Sequence, residues 1–505
     1  MRKKAATPAE APAESSIVGD IHAVRSERYG KWALYQVVQQ DSEGLGVVAL
    51  EGFEEDLPAA SALGGLKPLI VQRYSWRPHP DVFIVSDTAM PRRFVRVGNA
   101  PPCFTGKINS YAMDLPSSGS LAAEEEYRWT QLSQSVRDAY KRALNKPEKI
   151  QTKHGEHWNN TTSSHIEAHE PFDWSQLDVL PMLLELHVTG KAEGLLEYCI
   201  GRPLIHELHW LETGATTLDF SATKLEELTV DITGVEKIIL SAETDSISLV
   251  GDQGFLDKLR IEQPGPQGRY CELKLEALKA HPVPRYQLPL LSGLTVRCDE
   301  VDLKRVAQAY PRLEHLTAFG NPGALKNLAS VKELPRLRKL MLVDMFGFGA
   351  ADFPPSKAMP TLEDIWLSSV PKEAGQWVKK EYGHLPDLNI RKLRGEEWLK
   401  INAQNPFRSW DGRDGIAPTH AAKAFAAYKK LAAALQQLSP GDTPRETFLK
   451  LIEDFTVTFN KMQKKSSIET MEREEVGEVL KGLVKPFPTA VQEAAFDVFD
   501  RVRDF

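Results

Sequence analysis

Pro181-Met-Leu-Leu-Glu-Leu-His-Val188 returns 22 positions later as Pro203-Leu-Ile-His-Glu-Leu-His-Trp210. The last two apolar side chains of each copy are separated by one polar residue, the period-two pattern of a strand with one buried face. The frame recurs as Leu225-x-x-Leu228-x-Val230, Leu256-x-x-Leu259-x-Ile261, Leu291-x-x-Leu294-x-Val296 and Leu313-x-x-Leu316-x-Ala318. It continues through Leu337-x-x-Leu340-x-Leu342, Leu362-x-x-Ile365-x-Leu367 and Leu385-x-x-Leu388-x-Ile390, nine imperfect copies in all. Self-similarity at this period predicts units that bury their apolar faces only by stacking on one another.

Between Leu208 and Leu259, Leu218-x-Phe220, Val235-x-x-Ile238-x-Leu240 and Ile247-x-Leu249 bring an apolar pair about every ten residues. That spacing is too short for strand, turn, helix and return, so it predicts turns of about twenty residues extended on both sides. From Leu294 onward the period is 22 to 25 residues, and Asp302-Leu-Lys-Arg-Val-Ala-Gln-Ala and Ala324-Leu-Lys-Asn-Leu-Ala suit short helices between strands.

The unit Leu-x-x-Leu-x-Leu resembles the leucine-rich repeat, over about 220 of the 505 residues, and Asn321 falls at that family's asparagine position. The resemblance implies a parallel β solenoid whose concave sheet presents the residues between the inward pairs. In order these are His187 and Thr189, His209 and Leu211, Thr229 and Asp231, Arg260 and Glu262, Thr295 and Arg297. Thr317 and Phe319, Met341 and Val343, and Trp366 and Ser368 follow, with Phe346 and Phe348 in a loop. Large apolar side chains at adjacent solvent-facing positions have the composition of an interface hot spot. The partner-binding candidates are therefore Phe319, Met341, Val343, Phe346 and Trp366, with His187 and His209 at the polar end. The same composition also suits burial under C-terminal helices, and a register slip of one residue would turn these positions inward.

Outward from the repeats, the fold class expected is α/β: a leucine-rich-repeat-like solenoid over residues 172–394, an N-terminal α+β module and a C-terminal helical bundle over 395–505. Residues 17–150 hold the short runs Trp32-Ala-Leu-Tyr-Gln-Val-Val, Gly46-Val-Val-Ala-Leu, Pro68-Leu-Ile-Val and Val82-Phe-Ile-Val, then one connecting helix over 120–145. Residues 1–16 read as a disordered tail and 151–171 as a polar, His-rich linker. In the bundle, Pro418 opens a helix placing Phe425, Tyr428, Leu431 and Leu435 on one face. Thr443-Pro-Arg-Glu446 forms a capping box for a second, and helices over 471–484 and from Thr489 to about Val502 follow. The stretch from Ser467 to Val476 is similar to the helical portion of uncharacterised bacterial multidomain proteins, some with leucine-rich repeats.

Composition narrows the function. A net charge of −7, with 26% charged and 42% hydrophobic residues, is that of a globular protein without a basic footprint, which argues against nucleic acid. Arg92-Arg-Phe-Val-Arg96 is the one local basic run considered for phosphate. Four dispersed cysteines, no secretory signal and no apolar run near eighteen residues predict reduced thiols, a cytoplasmic location and no membrane span. Secreted bacterial ubiquitin ligases join leucine-rich repeats to a helical domain with a nucleophilic cysteine, and here no cysteine follows Cys298. Neither a phosphate loop nor a nucleophile elbow occurs, and Trp410-Asp-Gly-Arg-Asp-Gly415 misses the oxygen spacing of a calcium loop and reads as a turn. The weak metal candidates are His154, His157, His165 and His169, of which His165 and His169 would lie one turn apart on a helix. These readings converge on a cytoplasmic protein that binds a protein partner without catalysis or cofactor, as a scaffold or a neutralising immunity protein. The alternative is the targeting subunit of a metal-dependent enzyme whose site lies near the N-terminal module and the 154–170 histidines.

Overall fold

The computed structural model describes residues 16–41, 44–74, 82–85, 90–91, 93–106, 122–152, 155–168, 171–278, 282–385, 387–413, 415–438, 445–463 and 468–505. The chain forms two compact units, one running to Leu367 and including Gln376–Asn389, the other Ser368–Gly375 with Ile390–Phe505.

The first unit opens with five antiparallel strands, β1 (Asp20–Arg25), β2 (Trp32–Asp41), β3 (Gly44–Glu54), β4 (Val82–Val85) and β5 (Val95–Asn99), in the order β4-β3-β2-β1-β5. The continuous run Val47-Val48-Ala49-Leu50 is buried on both faces, which is why it lacks alternation. One face packs with Ile21, Leu34 and Leu63, the other with Tyr35, Val37 and Phe94. Of the four runs read as strands, Pro68-Leu-Ile-Val forms only an isolated bridge, Leu50 to Pro68. The single connecting helix is two, α1 (Ala122–Gln131) and α2 (Gln134–Asn145), because the Ser133 hydroxyl caps a new start by accepting from the Val136 N–H.

Residues 151–171 are not a linker. Strands β6 (Lys149–Thr152) and β7 (Gly155–Trp158) make a hairpin, and β8 (Ser163–Glu167) pairs in parallel with β9 (Glu185–Thr189). The inward residues of and after β8 are Ser164, Ile166 and Ala168, so two small side chains hide the alternation that leucines announce elsewhere. Helix α3 (Leu195–Gly201) and strands β10 (Glu207–Leu211), β11 (Thr217–Asp219), β12 (Glu227–Asp231), β13 (Lys237–Ile239), β14 (Ser246–Val250), β15 (Arg260–Glu262) and β16 (Glu272–Leu278) follow. Next come β17 (Gly293–Cys298), β18 (Glu300–Asp302), α4 (Leu303–Ala309), β19 (His315–Lys326), β20 (Lys339–Phe346), β21 (Asp364–Ser368), α5 (Lys372–Glu381) and β22 (Asp387–Arg391).

Eleven of these strands form one large parallel sheet in chain order, β8-β9-β10-β12-β14-β16-β17-β19-β20-β21-β22, with β18 beside the far end of β19. Strands β11, β13 and β15 make a separate parallel sheet, so the ten-residue spacing does alternate between two extended sides. The inward pairs Leu186/Val188, Leu208/Trp210, Leu228/Val230, Leu294/Val296 and Leu340/Leu342 are buried. Buried hydroxyls and amides join successive segments: Thr244 Oγ1 donates to the Leu225 carbonyl, Gln263 Nε2 to those of Ser241 and Thr244, and Tyr310 Oη to that of Pro284. Asn321, on β19 beyond the inward pair Leu316/Ala318, is exposed. In six strands the residue one past the same outward position is left-handed, namely Gly190, Glu212, Gly251, Ser369 and Lys392 just after their strands and Asp344 within β20.

The second unit contains α6 (Glu396–Asn402), α7 (Pro418–Gln436), α8 (Arg445–Gln463), α9 (Thr470–Val484) and α10 (Thr489–Val502) around Trp410, Leu431, Phe448, Ile452, Phe459, Leu480 and Phe499. On α7 the buried face is Ala421, Ala424, Ala427, Leu431 and Leu435, and Phe425 is only half-buried, stacked on Tyr428. The turn at Trp410 anchors the bundle: Arg413 binds Glu472 and Glu475, and Trp410 Nε1 donates to Glu475 at 2.6 Å. Residue Thr443 of the expected capping box and residues 1–15 of the expected 1–16 tail lie outside the described residues, whereas Ser16, its last residue, is buried with its hydroxyl accepting from the Met90 N–H. No helix among the described residues is long and apolar enough to cross a membrane.

Candidate functional site

In a parallel sheet with equivalent residues in register, each outward position becomes a row across the strands. One row on the open face runs Ser163, Glu185, Glu207, Glu227, Ser246, Glu272, Gly293, His315 and Lys339. Two residues further along each strand a second runs His165, His187, His209, Thr229, Ser248, Lys274, Thr295, Thr317 and Met341.

At the β8–β10 end the imidazoles stack, His165 on His187 with centroids 4.2 Å apart and His187 on His209 at 4.4 Å. Each of the latter two bonds the carboxylate two residues back on its own strand: His187 Nε2 donates to Glu185 Oε1, and His209 Nε2 donates to Glu207 Oε1 at 2.7 Å. Glu185 Oε1 also lies 4.0 Å from His209 Nε2. Single ligand atoms of Glu185, His187 and His209 fall within 4.8 Å of one another, the one such group among the described residues. All three side chains are about 30% exposed, accessible yet held by the strands.

The structure joins His165 to His187 and His209, while His157, the other described histidine among the expected metal ligands, lies in a different sheet. His165 sits on a strand, not a helix, while His157 belongs to the β6–β7 hairpin; His154 and His169 lie outside the described residues. The carboxylates Glu185 and Glu207 escaped sequence reasoning, although the repeated Glu-Leu-His on β9 and β10 carried the signal.

At the other end, Thr317 pairs with Met341 and Phe319 with Val343, and Trp366 occupies the outward position of β21. All four apolar side chains are half-buried. The Arg297 guanidinium lies 4.4 Å from the Phe319 ring centroid while bonding Glu276 at 2.7 Å, and Lys339 pairs with Asp364 at 2.9 Å. Two expectations need correction. Phe346 is buried at the end of β20, where the strand runs on into the core, and Phe348 is buried against Phe353. Arg260 and Glu262 sit on β15 in the small sheet; the open-face positions there belong to Lys274 and Glu276 of β16, whose Leu273-x-Leu275 is the inward pair.

Several ionisable groups in the residues just before the strands, where the N-terminal module packs, are strongly perturbed. Arg28 pairs with Asp245 and Glu243 and lies 5.2 Å from the Tyr270 ring centroid, and Arg128 bonds Glu226 at 2.7 Å. Burial pushes the Asp245 carboxyl up to about 6 despite Arg28 beside it, and raises Glu226 and Glu314 too. Burial, reinforced by Arg73, pushes His206 down to about 4. This pattern, cation facing buried carboxylate across two packed modules, is that of a structural joint. Of the basic run at 92–96, Arg96 is paired with Asp20, Arg93 is partly buried, and Arg92 lies outside the described residues.

Comparison with protein-family models, with curated proteins and with solved structures yields no match.

Proposed function

We propose that the first unit is a leucine-rich-repeat-like solenoid that holds a protein partner on its open face, without catalysis, with Phe319, Met341, Val343 and Trp366 as anchors. The observation that carries this reading is the half-exposed apolar patch on three adjacent strands, rimmed by Arg297, Glu276, Lys339 and Asp364. Large side chains ringed by paired charges are the composition that supplies most of the affinity in protein interfaces. Chain-ordered parallel pairing supports the solenoid reading, because it sets the anchors on rigid strands and their approach to a partner loses little conformational entropy. A scaffold and a neutralising partner protein both fit such a surface.

Quantitative affinity capture with wild type, Met341→Ala, Trp366→Ala and Thr229→Ala tests it. Proteins retained by wild type and Thr229→Ala and lost from both other variants are the expected result. The same set on all four forms overturns the assignment.

A further inference from the structure

We propose that Glu185, His187 and His209 form a binding site for one divalent first-row transition metal ion, of the class of Zn2+, with His165 and Glu207 flanking it. Borderline cations favour imidazole nitrogen with one carboxylate oxygen, whereas Mg2+ and Ca2+ require oxygen sets that these strands do not offer. The ligand atoms, one from each of the three side chains, come from adjacent parallel strands in fixed register and already lie within 4.8 Å of one another. Coordination at about 2.0–2.1 Å per ligand draws them together by small side-chain rotations. These rotations are open to groups about 30% exposed and leave the backbone unmoved.

The surroundings point the same way. Glu185, Glu207 and Glu227 stand directly opposite one another on β9, β10 and β12, and like charges in that position repel. Among the described residues, the ion pairs shown for Glu185 and Glu207 are with His187 and His209. One metal ion answers that repulsion, taking the two imidazoles as ligands and supplying positive charge to Glu185. Glu207 then accepts from a ring N–H or a metal-bound water, as outer carboxylates do around such sites. Three protein ligands on an exposed face leave a coordination position open to solvent, so the ion exchanges.

Isothermal titration of ZnCl2 into chelator-stripped full-length protein at pH 7.5 tests the site. One ion per chain with micromolar affinity is expected, weakened at least tenfold in the His187→Gln/His209→Gln double variant. Glu185→Gln, which keeps every imidazole, is the second variant and also weakens binding. Cu2+ bound to wild type shows nitrogen hyperfine coupling from two imidazoles in its electron paramagnetic resonance spectrum, and the double variant lacks it. Zn2+ binding that is absent from wild type, or equal in wild type and the double variant, overturns the proposal.

Discussion

The large sheet carries two sets of charged residues in register, and they serve opposite ends. Two residues just before the strands, Glu226 and Asp245, are covered by the N-terminal module's arginines Arg128 and Arg28, and burial displaces their ionisation. The outward residues of β9 and β10 are bonded to one another but remain about 30% exposed. The same repeat places both rows; what differs is whether another element lies on top. A charge that is buried and paired fixes the structure, and a charge held rigid but open is available to a ligand.

The comparison breaks most severely if the shared layer beneath both rows is removed. Leu208 is fully buried directly behind His209, and Leu208→Ala is expected to lower stability by about 3 kcal/mol through lost burial and a residual cavity, measured by urea unfolding of the first unit. A loss under about 1 kcal/mol would mean that the inward row is not a tightly packed core.

Arg28→Ala tests the covered row itself. It leaves Asp245 and Glu243 without their guanidinium, and a loss of about 2 kcal/mol is expected, part of the cost of stranding a buried charge. The parallel change His187→Gln, on the open row, shifts stability by less than about 0.5 kcal/mol in metal-free buffer. Equal effects would erase the distinction between the rows.

The finest test is pH. The Asp245 carboxyl is raised from 3.8 to about 6, so between those values the folded chain keeps a proton that the unfolded chain has released. Its contribution to stability is full below about pH 4 and is lost as pH rises through about 6. With the side chain 34% exposed, solvent screening reduces the effect to the order of 1 kcal/mol. Wild type should therefore lose ground to Asp245→Asn between pH 5 and pH 7.5 in urea midpoints, and a constant difference would show that Arg28 fully offsets the burial.

How much of this was legible depended on side-chain size. Where inward positions are leucines, as at Leu228 and Leu340, the strand and its face could be read directly. Where they are Ser164 and Ala168, the sequence of β8 reads as a linker, and His165 within it as a helical position. The frame Leu256-x-x-Leu259-x-Ile261 is extended and buried, as its alternation predicts, but alternation carries no information about which of two sheets receives a strand. Of the candidate site, the two histidines and four apolar anchors could be placed on strands from the sequence, whereas the carboxylates became partners only through packing.

The order of residues alone determined that this chain makes half-buried strands recurring at about twenty-residue intervals and a separate set of helices, because apolar periodicity is a local property. Tertiary structure alone decided that His165, His187 and His209 stack and that Asp245 is covered. Those facts depend on register between segments about twenty residues apart and on a module more than a hundred residues upstream, and no local pattern encodes either.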